Sequence, residues 1–61
     1  MMTEEEIRDL VGSYIHVEGY DDLRSILSIM SQEYPQEFDR KLAIRIIRET
    51  LRAKSDESER R

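Results

Sequence analysis

The sequence has no cysteine and no tryptophan, and only one proline, two glycines and one histidine in 61 residues. Without cysteine, the chain has neither disulfide bonds nor thiolate–metal sites to stabilise a small fold. A domain of this length buries only about 60% of the surface that its unfolded chain exposes. Short domains often gain stability by associating with a second copy. A homodimer is therefore an expectation from size and composition alone.

Long apolar runs are also missing. No stretch of the sequence approaches the roughly 18 apolar residues of a transmembrane helix. The chain begins Met1-Met2-Thr3 followed by three glutamates, whereas a signal peptide has a basic segment and then an apolar one. These absences predict a cytoplasmic protein with no membrane partner.

Charge is divided unevenly along the chain. Residues 1–39 contain ten acidic and two basic residues, which gives a net charge of −8. Residues 40–61 contain eight basic and four acidic residues, which gives +4. The overall charge of −4 argues against nonspecific binding to nucleic acid. The division still allows a local basic surface on the second part of the chain.

Apolar periodicity predicts two helices in the first part of the chain. The first covers about residues 4–18, because Thr3 and Glu6 form a Thr-x-x-Glu capping box ahead of an apolar stripe. The second covers about residues 22–34 and follows Asp21, a favourable residue for a helix N-cap. Both segments are typical of amphipathic helices that pack on a common core.

The segment Tyr14–Val17 allows a second interpretation. Two of its four residues are β-branched, and Gly12 just before it weakens a helix, so a short extended piece is an alternative. A lone strand would have no partner in an otherwise helical chain. The helix is therefore the favoured prediction.

A third helix is predicted over about residues 36–54, beginning near Pro35 because proline fits the first turn of a helix. The sequence thus predicts an all-α protein with one three-helix domain over residues 1–54. Residues 55–61 are wholly polar, and we expect them to form a disordered tail.

The third predicted helix is apolar over roughly 240° of its circumference, much more than the stripe of a surface helix. Two short helices would cover only part of this surface. The sequence therefore predicts dimerisation through this helix, while a single bundle with the helix at its centre remains the alternative. The residues predicted to serve the core or the dimer contact are Phe38, Ile44, Ile47 and Leu51.

The remaining side of this helix has four cations at spacings of 4, 3 and 4 residues: Lys41, Arg45, Arg48 and Arg52. We call them the cationic row, since these spacings place them on one helix face. Their mutual repulsion is small, about a few tenths of a kcal/mol per pair. Three counterparts are open: the chain's own acidic first helix or the solvent, an acidic surface of another protein, and nucleic-acid phosphate.

Features of an enzyme or a metal site are lacking. His16 falls on the polar face of the first helix, with glycine and tyrosine four residues before and after it instead of a second metal ligand. The only glycines are Gly12 and Gly19, so no glycine-rich phosphate loop exists. The sequence predicts no catalytic residue, no metal and no cofactor.

Helices two and three have the order of a helix-turn-helix, but the third helix would begin with Gln36, Glu37, Phe38 and Asp39. Carboxylates would then face the DNA bases, which counts against sequence-specific readout. The sequence therefore predicts a small, non-enzymatic regulatory or adaptor protein that acts as a homodimer and binds an acidic protein through the cationic row. Contact with a nucleic-acid backbone is the alternative.

Overall fold

The protein is described here by a computed structural model that covers residues 1–59. Its first helix, α1, spans Glu4–Gly12 and continues directly into a π-helical segment, Ser13–Val17. The second helix, α2, spans Leu23–Glu33, and the third, α3, spans Arg40–Glu59. These residues form no β-strand, and the predicted three-helix bundle is confirmed.

A reciprocal pair of hydrogen bonds begins α1. The Glu6 amide donates to the Thr3 hydroxyl at 3.2 Å, and the Thr3 amide donates to the Glu6 carboxylate at 2.8 Å. This is the capping box that the sequence predicted, and it satisfies amides that have no partner within the helix. The hydrogen bond that the Thr3 amide donates to the Glu6 carboxylate lowers the pKa of Glu6, and the Thr3 side chain lowers it further.

The segment Ser13–Val17 is helical, not extended, but its hydrogen bonds join residues five apart, whereas those of an α-helix join residues four apart. The Glu18 amide donates to the Ser13 carbonyl at 3.0 Å, five residues back along the chain. Gly19 then ends the helix with φ at 81°, a left-handed conformation that glycine adopts without a side-chain clash.

Contacts to both other helices fix the π-helical segment. The buried Tyr14 donates its hydroxyl hydrogen to Glu33 at the end of α2, at 2.5 Å, and its ring meets Tyr20 edge-to-face at 5.9 Å. Burial, and then the bond to Glu33, raises the pKa of Tyr14. From α3, the Lys54 ammonium donates to the Ile15 carbonyl at 3.3 Å, and so caps the end of the first helix with a cation.

The start of α2 differs by one residue from the prediction. Asp22, not Asp21, is the N-cap residue: its carboxylate accepts a hydrogen bond from the Ser25 amide at 2.9 Å. That bond lowers the pKa of Asp22. The helix ends before Tyr34 and Pro35, as expected when a proline restricts the residue that precedes it.

The start of α3 differs more, since the helix begins at Arg40 and not near residue 36. The Glu37 amide donates to the Tyr34 carbonyl at 3.2 Å, which closes a four-residue turn. Pro35 occupies the second position of this turn, and Gln36 has a left-handed φ of 58° at the third, as in a type II turn. The proline therefore begins a turn and not a helix.

Asp39 is the residue that starts α3. Its carboxylate accepts hydrogen bonds from the amides of Lys41 and Leu42, at 3.0 and 3.3 Å. The preceding turn is tied to the chain's first residues, because the Met2 amide donates to the Glu37 carbonyl at 2.6 Å. These contacts set the position at which α3 enters the bundle.

Helix α3 continues to Glu59, the last residue that the structure describes, five residues beyond the predicted end. Residues 55–59 are exposed and helical in the structure, where the sequence predicted a disordered tail. No proline or glycine interrupts this stretch, so nothing local ends the helix. The rest of the predicted tail, residues 60–61, lies outside the described residues. Within residues 1–59 no helix has the length and apolarity needed to cross a membrane.

The core lies where α3 packs between α1 and α2. On α3, Ala43, Ile46 and Ile47 are fully buried, and no charged side chain is buried with them among the described residues. The core consists of Ile7, Val11, Tyr14, Ile15, Ile26, Leu27, Met30, Phe38, Ala43, Ile46 and Ile47. Most of the apolar side of α3 is thus covered within one chain, which leaves its charged side for solvent.

The left-handed φ of Gln36 makes a testable prediction. Glycine at position 36 removes the side-chain clash, worth about 1–2 kcal/mol, but adds about 0.5–1 kcal/mol of unfolded-chain entropy. Gln36→Gly should therefore stabilise the fold by about 0.5–1 kcal/mol in urea unfolding followed by circular dichroism. The control Gln32→Gly, inside α2, should destabilise it by about 1 kcal/mol. Equal losses of stability for both variants would contradict the turn.

Candidate functional site

The cationic row lies on the solvent side of α3. The side chains of Lys41, Arg45, Arg48 and Arg52 are all exposed. They share this face because α3 is continuous from Arg40 to Glu59, so the spacings read from the sequence hold throughout. The structure brings the four predicted residues together as a single strip on one rigid element.

One member of the row is held by other side chains of the same protein. Arg45 lies 3.6 Å from Glu4 on α1 and 3.7 Å from Glu49 one turn further along α3. Arg8 completes the group, 3.1 Å from Glu4 and 3.6 Å from Glu49. We call these four residues the α1–α3 ion cluster. Their side chains are 45–60% exposed, so each pair contributes only about 0–1 kcal/mol.

The four cations of the row therefore differ in whether they form an ion pair with another side chain of the protein. Arg45 meets the chain's own acidic first helix, which is the first of the three counterparts open from the sequence. Lys41, Arg48 and Arg52 form no ion pair with any other side chain in residues 1–59. These three cations have their full hydrogen-bonding capacity available to an external group.

An aliphatic side chain lies among the cations. Ile44 is partly buried, and with Lys41, Arg45, Arg48 and Glu49 it lines a shallow depression on α3. We call this depression, together with Arg52, the α3 face. Its combination of arginines and an aliphatic centre is typical of protein-binding surfaces, where arginine is enriched.

The residues predicted for the core or the dimer contact fall into two groups. Phe38 and Ile47 lie in the core of the single chain, with 9% and 0% of their surface exposed. Ile44 and Leu51 are partly buried and pack against that core. The large apolar side chains that are exposed are Met1 and Val17, neither of them on α3. The surface that α3 leaves for a second copy is thus limited to parts of Ile44 and Leu51.

No cluster of metal-binding side chains is assembled in the described part of the chain. No three His, Cys, Asp or Glu side chains in residues 1–59 are placed to hold a metal ion. His16 is exposed next to Val17, at the end of the π-helical segment. The acidic residues Glu4 and Glu6 at the start of α1 serve the ion cluster and the capping box.

Sequence reasoning missed two features of this surface. The pairs Glu4–Arg8 and Arg45–Glu49 are readable from their i,i+4 spacing, but the contact between the two pairs depends on how α1 packs on α3. It also missed Arg40, which begins α3 next to the row but lines a separate groove between α2 and α3.

Comparison with protein-family models, curated proteins and solved structures finds no match to this chain.

Proposed function

We propose that this chain is a small, non-enzymatic regulatory or adaptor protein that binds an acidic surface of another protein through the α3 face. The observation that carries the proposal is the division of the cationic row. Lys41, Arg48 and Arg52 are exposed and form no ion pair within residues 1–59. Arg45, in contrast, is engaged by Glu4 and Glu49.

Rigid presentation supports this proposal. Ile46 and Ile47, on the side of α3 opposite the row, are fully buried and anchor the helix in the core. From Lys41 to Arg52 the row extends over twelve residues, whose eleven steps of 1.5 Å give a length of about 16 Å. A helix backbone held in this way loses little conformational entropy on binding, and complementary charge speeds association.

The chemistry of the available groups favours carboxylates. Arg48 and Arg52 each present a planar guanidinium that binds a carboxylate with two parallel hydrogen bonds. Neither has to give up an ion pair with residues 1–59 in order to do so. Ile44, between the cations, adds an apolar contact that a protein surface can match.

Binding to a nucleic-acid backbone has less support. Glu49 lines the same depression as the cations, and Glu4 lies beside Arg45, so phosphates would meet carboxylates at the edge of the row. The whole chain has a net charge of −4, which opposes approach to a polyanion. Proteins, unlike a uniform phosphate backbone, can avoid these carboxylates through their own pattern of charge.

Affinity capture with charge-reversal variants tests the proposal. The immobilised wild-type protein is expected to retain proteins with acidic surfaces from a nuclease-treated lysate of its own organism. Arg48→Glu/Arg52→Glu should lose these proteins, because carboxylates then face carboxylates. Quantitative mass spectrometry of the retained proteins gives the measurement. Arg45 is left unchanged so that the ion cluster stays intact.

The matched control is Arg24→Glu/Arg40→Glu, which changes the charge equally but away from the α3 face. It should keep the proteins that the first variant loses. An identical set of retained proteins for wild type and Arg48→Glu/Arg52→Glu would refute the α3 face as the contact surface. A second lysate, without nuclease treatment, tests the nucleic-acid alternative. Proteins retained only from this lysate, together with an affinity for RNA or DNA that falls steeply with salt, would establish that alternative instead.

We also propose, as the second part of the sequence prediction, that two copies associate through α3. The surface for this contact is the exposed part of Ile44 and Leu51, next to the cationic row. Because the area is small and the row repels its own copy, the dimer would be weak. Binding of the acidic partner does not require it.

Sedimentation equilibrium at tens of micromolar measures the association. A dimer gives a mass of twice the 7.3 kDa of one chain, and more of it at high salt, which screens the repulsion. Ile44→Ser should shift the mass to one chain, whereas Val17→Ser, at an exposed apolar residue away from α3, should not. A wild-type mass of one chain at all salt concentrations would contradict the dimer.

A further inference from the structure

We infer that the groove between α2 and the start of α3 is a second binding site, and that its occupant is an acidic amphipathic helix of a partner protein. The groove is lined by seven residues. They are Leu23, Arg24, Leu27, Ser28, Ser31 and Gln32 from α2, and Arg40 from α3.

The shape of the groove fits a helix. Leu23, Leu27 and Ser31 follow one another at intervals of four residues, so the groove runs along α2 for about 12 Å, or two turns. Its volume is about 650 Å³ and it is open to solvent along its length. The small side chain of Ser28 leaves room for another backbone to approach closely. An open groove of this length can receive the apolar side of a short helix.

The charge of the groove is positive. Arg24 and Arg40 come from different helices, are exposed, and form no ion pair within residues 1–59. No acidic side chain lines the groove. In a chain with net charge −4, a groove bounded by two arginines and no carboxylate is a local exception.

The neighbouring carboxylates are already engaged. Asp22 precedes the groove and accepts a hydrogen bond from the Ser25 amide. Asp39 precedes Arg40 and accepts hydrogen bonds from the amides of Lys41 and Leu42. Besides the Ser25 hydrogen bond, the charge of Arg24 contributes to the lowered pKa of Asp22, but neither arginine forms an ion pair with these carboxylates. Both arginines can therefore bind carboxylates of a partner.

An acidic amphipathic helix satisfies both features. Its apolar side chains, four residues apart, pack on the partly buried Leu23 and on the small exposed part of Leu27, while its carboxylates bind Arg24 and Arg40. An extended peptide would gain less, because residues 1–59 have no strand edge with which its backbone could pair. The site is independent of the proposed function, since the groove and the depression on the α3 face share no lining residue.

Selection from a random peptide library tests the inference. The wild-type protein is used to select from displayed peptides of about 15 residues, long enough to form a helix when bound. We expect the enriched peptides to be acidic, with apolar residues four apart. One enriched peptide is then synthesised, and its affinity for each protein variant is measured by fluorescence anisotropy.

Two serine variants on α2 form the matched pair. Ser28→Glu places a carboxylate inside the groove and should weaken peptide binding by about tenfold or more, through repulsion and loss of space. Ser25→Glu places the same charge on the same helix outside the groove and should change affinity by less than about twofold. Ser28 and Ser25 are both exposed, so both variants should keep the fold, as circular dichroism checks.

Arginine variants locate the peptide. Arg24→Glu/Arg40→Glu should abolish binding, and Arg48→Glu/Arg52→Glu should leave it nearly unchanged. The inference is overturned if no peptide is enriched, if enriched peptides are not acidic, or if Ser28→Glu binds as tightly as Ser25→Glu. Loss of binding only with Arg48→Glu/Arg52→Glu also overturns it, because the acidic peptides then bind the α3 face.

Discussion

The packing of α3 between two shorter helices is the constraint on which the rest of the structure depends. Ala43, Ile46 and Ile47 are fully buried and face α1 and α2 together. Burying a cation without a partner carries a large desolvation penalty. In this bundle α3 therefore has only one favourable orientation about its own axis. The side that remains in solvent is the cationic row. The position of the proposed binding surface therefore follows from the core, although none of its cations belongs to the core.

The packing of α1 decides how much of the row is available. The π-helical segment that continues α1 is fixed by two hydrogen bonds, from Tyr14 to Glu33 and from Lys54 to the Ile15 carbonyl. With this end fixed, Glu4 at the other end of α1 lies within 3.6 Å of Arg45. The acidic start of the chain thus pairs with one cation of the row and leaves the other three without an ion pair in residues 1–59. This division of the row is a consequence of the length and register of α1.

The sequence predicted what depends on local pattern and missed what depends on competition or tertiary contact. The helices, the capping box and the common face of the row follow from spacing alone. The start of α3 was missed because Pro35 and Asp39 both suit a helix start. In the structure Pro35 lies in the turn with Gln36, so the helix begins after Asp39. The ion cluster and the α2–α3 groove combine residues from two helices, such as Arg24 and Arg40, so no single stretch of sequence contains their signal.

The most direct test of the central claim is to measure the mobility of each arginine side chain by ¹⁵N NMR relaxation at the Nε–H group of the free protein. The structure predicts that Arg45 is restricted, because its Nε lies 3.7 Å from the Glu49 carboxylate, and that salt releases it. Arg48 and Arg52 should be mobile at every salt concentration. Equal mobility of all three, or restriction of Arg48 and Arg52 at low salt, would contradict the division of the row.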